Sequence, residues 1–279
     1  GQKNTAVGQG SLGVNTTAND NTTVGNSSLS NNTTGASNAA VGSCALKQNT
    51  TGASNTAVGY SALTANTTAS NNTAVGREAL DDNTTGGSNV AIGFHALNGN
   101  TTGGCNTAVG CNAMGTNAMT GDFNSSLGAN DLQTLTSGSQ NTGVGDGAGL
   151  CVTTGDNNLL LGKHAGRSTS PSGTLDDEDN RIVLGDNNIT NAYVKVDWTV
   201  TSDERDKMNF EEVPHGLDFV NQMKPVSFVF KKDRDTEVAH GNKKYGFKAQ
   251  DILALEGDDN VIIDNEKPET LKYLGAHLI

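Results

Sequence analysis

The sequence predicts an all-β repeat shaft, a β-solenoid or β-roll of 17-residue coils expected to be trimeric, followed by a small α+β domain. Three observations lead to this prediction: a phrase repeated every 17 residues, a polar corner that recurs in phase with it, and a change of composition after residue 168. Self-similarity at a fixed period is typical of stacked repeats. The predicted organisation is a repeat shaft over residues 1–168, collar or stem strands over 169–201, and a compact domain over 202–279.

The repeated phrase is asparagine, threonine or valine, alanine, valine or isoleucine, glycine, and its fullest form is Asn89-Val-Ala-Ile-Gly93. The spacing slips once, by one residue. The glycines of the phrase are Gly8, Gly25, Gly42, Gly59, Gly76, Gly93, Gly110, Gly128, Gly145 and Gly162. An asparagine lies four residues before each of them.

Each coil is predicted to contain two short strands and two corners. Val90 and Ile92 lie two apart and share one face of a strand, while Ala91 faces the other way. Gly93 follows where the chain must turn, because glycine tolerates positive φ. A second phrase, Ala96-Leu97 in this coil, predicts a short second strand before the polar corner that begins at Asn100.

Stacked coils place identical residues about 4.8 Å apart, so ten coils would reach roughly 45 Å. A buried asparagine ladder can satisfy its amides on the asparagines above and below. A 17-residue coil offers few apolar side chains, and this segment has almost no aromatic ones. One chain alone would bury too little apolar surface, so we predict that three parallel chains associate around one axis with their alanine faces meeting.

Composition argues against several other classes of protein. The net charge is −12 with no basic patch, which argues against nucleic-acid binding. No apolar run is long enough to span a membrane, so no membrane insertion is expected. The repeat corners carry asparagine and threonine where a calcium repeat needs aspartate, and we predict neither a cofactor nor a metal site. The cysteines occupy different phases of the repeat and form no C-x-x-C pair, which disfavours zinc; they are Cys44, Cys105, Cys111 and Cys151.

A different pattern begins after the repeat decays. The segments 181–185 and 192–200 read as stem strands, and most of the chain's phenylalanines lie beyond residue 202. The predicted elements of the compact domain are a helix over 214–223, strands over 226–230 and 245–249, a helical turn over 250–255 and a helix from Pro268. This last helix is amphipathic and is cut off at Ile279, so we expect it to continue or to pack on partner chains.

Two motifs flank the compact domain's first half. Ser202-Asp-Glu-Arg-Asp-Lys207 stands at its start, and Gly246-Phe-Lys-Ala-Gln250 follows about forty residues later. Together they resemble the S74 peptidase family, the intramolecular chaperone domain of phage tail fibres and tailspikes, over roughly residues 181–279. The repeats separately resemble the head repeats of trimeric adhesins, which also occur in viral fibres.

The resemblance implies a domain that trimerises, directs folding of the fibre ahead of it, and then cuts itself off. It implies that Ser202 is the nucleophile, that Lys207 is its general base, and that the scissile bond joins Thr201 to Ser202. A serine hydroxyl needs such a base, and a lysine serves only if its pKa is depressed. Arg205 is a candidate cationic neighbour that would depress it in a desolvated interface.

Two further residues of these motifs have open roles. Asp203 either orients Lys207 or caps the helix that follows. Gln250 is interpreted as a hydrogen-bonding core residue, with a direct catalytic role as the alternative.

The function predicted from these features is a viral tail or side fibre that attaches to a host. Its expected partners are two further copies of the chain, other virion tail proteins and a host surface receptor, either a glycan or a protein. We expect it in the virion, assembled in the host cytoplasm. The alternatives are a trimeric cell-surface adhesin with a non-cleaving trimerisation cap, and an ice-binding protein with threonine ladders.

Overall fold

The structure is a computed structural model of the 279-residue chain. It divides into two compact units, Gly1–Asn187 and Asn188–Ile279. The residues that it describes are 1–115, 118–193, 216–231, 237–257, 262–264 and 272–273. Within these residues, no helix has both the length and the apolar character needed to cross a lipid bilayer.

The first unit is a β-solenoid whose three-residue strands stack into one eleven-stranded parallel sheet, in chain order. We call the segment that begins at the residue directly before strand βn coil n. The strands are β1 Thr5–Val7, β2 Thr22–Val24, β3 Ala39–Val41, β4 Thr56–Val58, β5 Thr73–Val75, β6 Val90–Ile92, β7 Thr107–Val109, β8 Ser125–Leu127, β9 Thr142–Val144, β10 Leu159–Leu161 and β11 Ile182–Leu184.

The register of the sheet equals the period of the sequence. Between β4 and β5, Ala57 pairs with Ala74 and Val58 with Val75, each partner 17 residues further on. The one-residue slip falls between β7 and β8, where Thr107 pairs with Ser125 and the register is kept. After the repeat decays, β11 pairs with β10 at a spacing of 23 residues, Leu159 with Ile182. The predicted solenoid of 17-residue coils is therefore confirmed.

The two faces of the strands differ from the prediction in one respect. Ala57 and Ala74 are fully buried inside their own coils, whereas Val58 points outward and is 38% exposed. The alanines are thus already covered by the turn of their own chain. The expectation that alanine faces of three chains would meet is wrong, and the outward face carries valine and isoleucine instead.

The glycine after each strand allows neighbouring coils to approach closely. Gly76 has φ of +140°, and a Cβ placed on it would lie 2.3 Å from the carbonyl oxygen of Gly93 in the next coil. That distance is far inside van der Waals contact. The position therefore requires glycine for both its backbone conformation and its packing.

The predicted second strand of each coil is instead a turn. Leu63 has φ of +56°, a left-handed conformation that non-glycine residues seldom adopt. In this conformation the side chain is fully buried, and the backbone N–H donates to the carbonyl of Ala79 in the next coil at 3.0 Å. The inter-coil hydrogen bond and the buried leucine offset the conformational strain.

Two ladders of buried asparagines join the coils. At the polar corner, Asn66 Nδ2 donates to Asn49 Oδ1 at 2.7 Å, the amide-to-amide contact that the sequence predicts. Before the strands the arrangement differs, because Asn55 Oδ1 accepts the backbone N–H of Asn72 at 3.0 Å. The Asn72 amide then donates to the carbonyl of Gly86. These side chains satisfy backbone groups that would otherwise be buried without partners.

The interior of the solenoid is a narrow apolar core of alanines and one larger residue per coil. Where a coil has a smaller residue at one interior position, a larger residue at another interior position fills the space. Gly149 stands where other coils have the buried leucine, and Leu160 stands where they have the strand alanine. A Cβ on Gly149 would lie 2.5 Å from Leu160 Cδ1 and equally close to Leu132 Cδ2, so the interior is filled from neighbouring coils.

The second unit is small and mixes helices with antiparallel strand pairs. Its elements are α1 Leu217–Gln222, β12 Val226–Lys231, β13 Ala239–Gly246, α2 Ala249–Glu256, β14 Ile263–Asp264 and β15 Lys272–Tyr273. The strands pair as β12 with β13 and β14 with β15. The core consists of Phe219, Ile252 and Ile263, with partly buried side chains around them.

Several predicted elements of this unit are corrected. The strand expected over 245–249 ends at Gly246, and Ala249 already begins α2. The helix expected from Pro268 is wrong at Lys272–Tyr273, which pairs antiparallel with Ile263–Asp264. The stem strand over 181–185 lies in the sheet as β11, and most of the segment 192–200 falls outside the described residues.

Candidate functional site

The corner between β13 and α2 carries the second of the two sequence motifs. Gly246 is the last residue of β13 and pairs with Val226 across the hairpin. A Cβ on Gly246 would lie 3.3 Å from Cε1 of the Phe228 ring. The motif's glycine therefore leaves room for the ring of the facing strand.

Helix α2 is held to the unit by its buried face and by one carboxylate. Ile252 is 1% exposed and packs in the core. Glu256 is 6% exposed, and its carboxylate accepts the backbone N–H groups of Ile262 at 2.5 Å and Ile263 at 3.1 Å. The helix end and β14 are thus joined by two charge-assisted hydrogen bonds.

Gln250 lies on the opposite face of α2, and its side chain is exposed. The sequence interpretation of a buried hydrogen-bonding residue does not hold in the single chain, because the inward positions of the helix are taken by Ala249, Ile252 and Leu253. The motif places Gln250 in the first turn of a helix, where it is accessible to another surface.

The predicted catalytic residues lie outside the described part of the chain. They are Thr201, Ser202, Asp203, Arg205 and Lys207. Their proposed roles accordingly remain predictions from the sequence motif.

Comparison with known proteins bears on this region. Residues 202–261 match the model of the family Peptidase_S74, described as the chaperone of endosialidase. The match covers about a fifth of the chain and spans both motifs, from Ser202 to Gln250. No curated protein and no solved structure matches the chain.

The solenoid carries an apolar stripe that sequence reasoning did not assign to an interface. It consists of the third residue of every strand, and we call it the outer column. Its members are Val7, Val24, Val41, Val58, Val75, Ile92, Val109, Leu127, Val144, Leu161 and Leu184. Most of them are more than a third exposed, for example Ile92 at 41% and Leu127 at 55%. The signal was present in the sequence as the invariably apolar fourth position of the phrase.

One surface cluster combines charge with aromatic rings. The Arg77 guanidinium lies 5.9 Å from the ring centroid of Tyr60 and 5.6 Å from that of Phe94, in the coils before and after it. Glu78 accepts hydrogen bonds from His95 and Arg77, which lower the pKa of its carboxyl. Phe94 stacks on His95 with ring centroids 3.9 Å apart. The groups satisfy one another, so the cluster ties three coils together.

The described residues hold no group of three or more histidine, cysteine, aspartate or glutamate side chains that could bind a metal ion. The four cysteines are free thiols.

Proposed function

We propose that the chain is the subunit of a homotrimeric viral tail or side fibre. In this proposal the solenoid is the shaft that reaches towards a host surface receptor, and the C-terminal region directs assembly. The match of residues 202–261 to the chaperone of endosialidase, directly after a solenoid, is the observation that carries it. Other virion tail proteins would anchor the shaft, and assembly would take place in the host cytoplasm.

The outer column supports association of shafts. It runs along all eleven strands, which at the usual strand spacing is roughly 48 Å. A continuous exposed apolar stripe of this length is uncommon on a monomer and marks an interaction surface. Parallel copies in register would lay valine and isoleucine of one chain against the same residues of the next. Every coil would then contribute equally to the interface.

The second unit also has apolar surface beyond what its core covers. Among the described residues of this unit, three buried apolar side chains form the centre, which is a small core. Several large apolar side chains are exposed, including Phe230 at 55%, Tyr245 at 83% and Leu217 at 73%. Association of three copies would bury such groups, and this is the physical reason to expect the unit to act as an assembly domain.

The proposed cleavage uses the two residues of the first motif. Neutral Lys207 accepts the proton of the Ser202 hydroxyl, and Ser202 Oγ attacks the carbonyl carbon of Thr201. The amide is thereby exchanged for an ester between Thr201 and the Ser202 side chain, and the leaving amine of Ser202 takes the proton that Lys207 accepted. Water then hydrolyses the ester to give a Thr201 carboxylate and a chain that starts at Ser202. Lys207 is neutral only when desolvated, so cleavage would follow correct assembly.

The test is the intact mass and denaturing-gel pattern of the purified chain, alone and with Ser202→Ala or Lys207→Ala. We expect the wild type to give two pieces, one ending at Thr201 and one starting at Ser202, and both variants to stay whole. Ser227→Ala and Lys243→Ala are matched controls, because both side chains are exposed and lie outside the motifs. They should cleave as the wild type does.

The alternative, an adhesin-like fibre with a non-cleaving cap, makes a different prediction. If the wild type is trimeric and stays whole, the region is a trimerisation cap and the dyad is inactive. If the chain is a stable monomer, the fibre proposal itself fails.

A further inference from the structure

One coil of the shaft carries a carboxyl group where the others carry a methyl group. Asp131 of coil 8 occupies the position that is alanine in most coils. The equivalent residues are Ala45, Ala62, Ala79, Ala96, Ala113, Ala148 and Ala165. These alanines are fully buried in the interior of the solenoid.

Asp131 is itself fully buried, and only part of its carboxyl group is satisfied. Its Oδ2 accepts the backbone N–H of Leu127 at 3.0 Å. Its Oδ1 is buried and has no hydrogen-bond partner. A buried oxygen in this state is costly when the group is ionised, because it has lost water without replacement.

The residues around Asp131 also differ from their equivalents in most other coils. The middle residue of β9 is Gly143, where most other strands have alanine, and a Cβ there would lie 2.0 Å from Asp131 Oδ1. The middle residue of β8 is Ser126, whose hydroxyl donates to the backbone carbonyl of Asp131 at 3.2 Å. The carboxyl therefore fills the space left by a missing methyl group, and three positions on two strands and one turn are matched to hold it.

The elements packed against Asp131 offer it no cation. They are β8, β9, the turn of coil 7 that contains Met114, and the turn of coil 9 that contains Ala148. The titratable groups of these elements are the Cys111 thiol and the Asp146 carboxyl, and both residues are exposed. Burial raises the pKa of the Asp131 carboxyl to about 7, while the hydrogen bond from the backbone N–H of Leu127 opposes the shift.

We propose that Asp131 makes coils 8 and 9 a pH-sensitive segment of the shaft, which closes around a neutral carboxyl group and loosens when that group ionises. The group lies inside its own coil, so neighbouring chains of a fibre would not shield it. The inference therefore does not depend on the proposed trimer or on cleavage.

The direction follows from linkage. The folded pKa, about 7, lies above the ordinary value of 3.8 that an open coil would restore. Ionisation therefore favours the open form, and stability is lost as the pH rises between these two values and stays low above about 7. The opening equilibrium of coils 8 and 9 should increase by about a hundredfold between pH 5 and pH 8.

The test is hydrogen exchange on the full chain at several pH values, read at the amides of Leu132 and Thr142. Both donate to the next coil, Leu132 to Ala148 and Thr142 to Asn158. The wild type is compared with Asp131→Asn at each pH, so that the intrinsic pH dependence of exchange cancels. We expect the ratio of the two exchange rates to rise steeply from pH 5 to pH 8.

Two further variants complete the experiment. Asp131→Ala restores the residue of the other coils and should also remove the pH dependence, even if asparagine disturbs the coil. Asp146→Asn removes an exposed carboxyl group of the neighbouring coil and should keep the wild-type dependence. A wild type whose exchange ratio to both Asp131 variants is constant with pH would overturn the proposal.

Discussion

Asn72 Oδ1 accepts the backbone N–H of Asn89 at 2.9 Å, and the two residues occupy the same place in successive coils. The same contact recurs from Asn89 to Asn106. Each asparagine thus uses its carbonyl oxygen on the next coil, while its Nδ2 bonds a backbone carbonyl at the end of its own coil, as Asn72 does to Gly86. One side chain therefore fixes both the closure of a coil and its distance to the next.

Asn72→Ala should lower the stability of the shaft by about 2 kcal/mol, because the buried backbone N–H of Asn89 loses its acceptor, while the carbonyl of Gly86 keeps the amide of Asn83 as a donor. The measurement is the denaturant midpoint of the shaft together with hydrogen exchange at Asn89. Asn31→Ala is the control, because Asn31 is exposed, and it should change stability by less than about 0.5 kcal/mol. Equal effects of the two substitutions would contradict the role of the ladder.

Gly76→Ala should destabilise the shaft by at least about 2 kcal/mol, since it adds backbone strain and a clash with Gly93. Gly173→Ala separates the two causes. Gly173 also has positive φ, +72°, but a Cβ there has no atom within 4 Å, and its cost should be only about 1 kcal/mol. If both substitutions cost the same in chemical unfolding, close packing of the coils is not what selects glycine.

In the proposed trimer, Ile92→Asp and Val58→Asp should shift the chain to a monomer, because each places a charge in the outer column. The measurement is the molar mass in solution by sedimentation equilibrium. Thr68→Asp adds the same charge at an exposed corner away from the strands and should leave the mass unchanged. Retention of the trimer by both outer-column variants would exclude this stripe as the interface.

Glu256→Ala should destabilise the C-terminal unit by about 3 kcal/mol, because the N–H groups of Ile262 and Ile263 lose their acceptor. Circular dichroism of the full chain on heating would detect the loss as an earlier transition of that unit. Gln250 is exposed on the same helix, so Gln250→Ala should leave the temperature of this transition unchanged. A loss of cleavage by Gln250→Ala at unchanged stability would show a role in the reaction.

The parts of the fold that the sequence predicts are those imposed by sterics and by hydrogen bonding of the backbone. Glycine recurs at the position of Gly76 because a side chain there would clash with the next coil. Asparagine recurs at the position of Asn72 because its amide bonds both a backbone N–H and a backbone C=O. The turn at Leu63 was predicted as a strand, since nothing in its residue type announces a left-handed backbone. That conformation is imposed by inter-coil bonding and by burial, which are properties of the stack.

The candidate site was predicted from the sequence only in part. The motif around Gln250 led to the family that the comparison then matched, but its exposed position depends on which face of α2 meets the core. The sequence analysis missed Asp131. Aligning the coils by phase shows that Asp131, and Gly143 in the next coil, each replace a residue that is alanine in most coils. The outer column was misassigned because a strand's alternation gives two faces and does not say which one the coil encloses.

Since Leu63 bonds Ala79 in the next coil, as Asn72 bonds Asn89, the contacts that define a coil connect adjacent turns only. Adding or deleting one 17-residue coil in the regular region would change the length of the shaft by about 4.8 Å. Such a change would leave every other coil with the same neighbours. The reach of the molecule can therefore vary in small, uniform increments by duplication or loss of coding repeats, without redesign of either end.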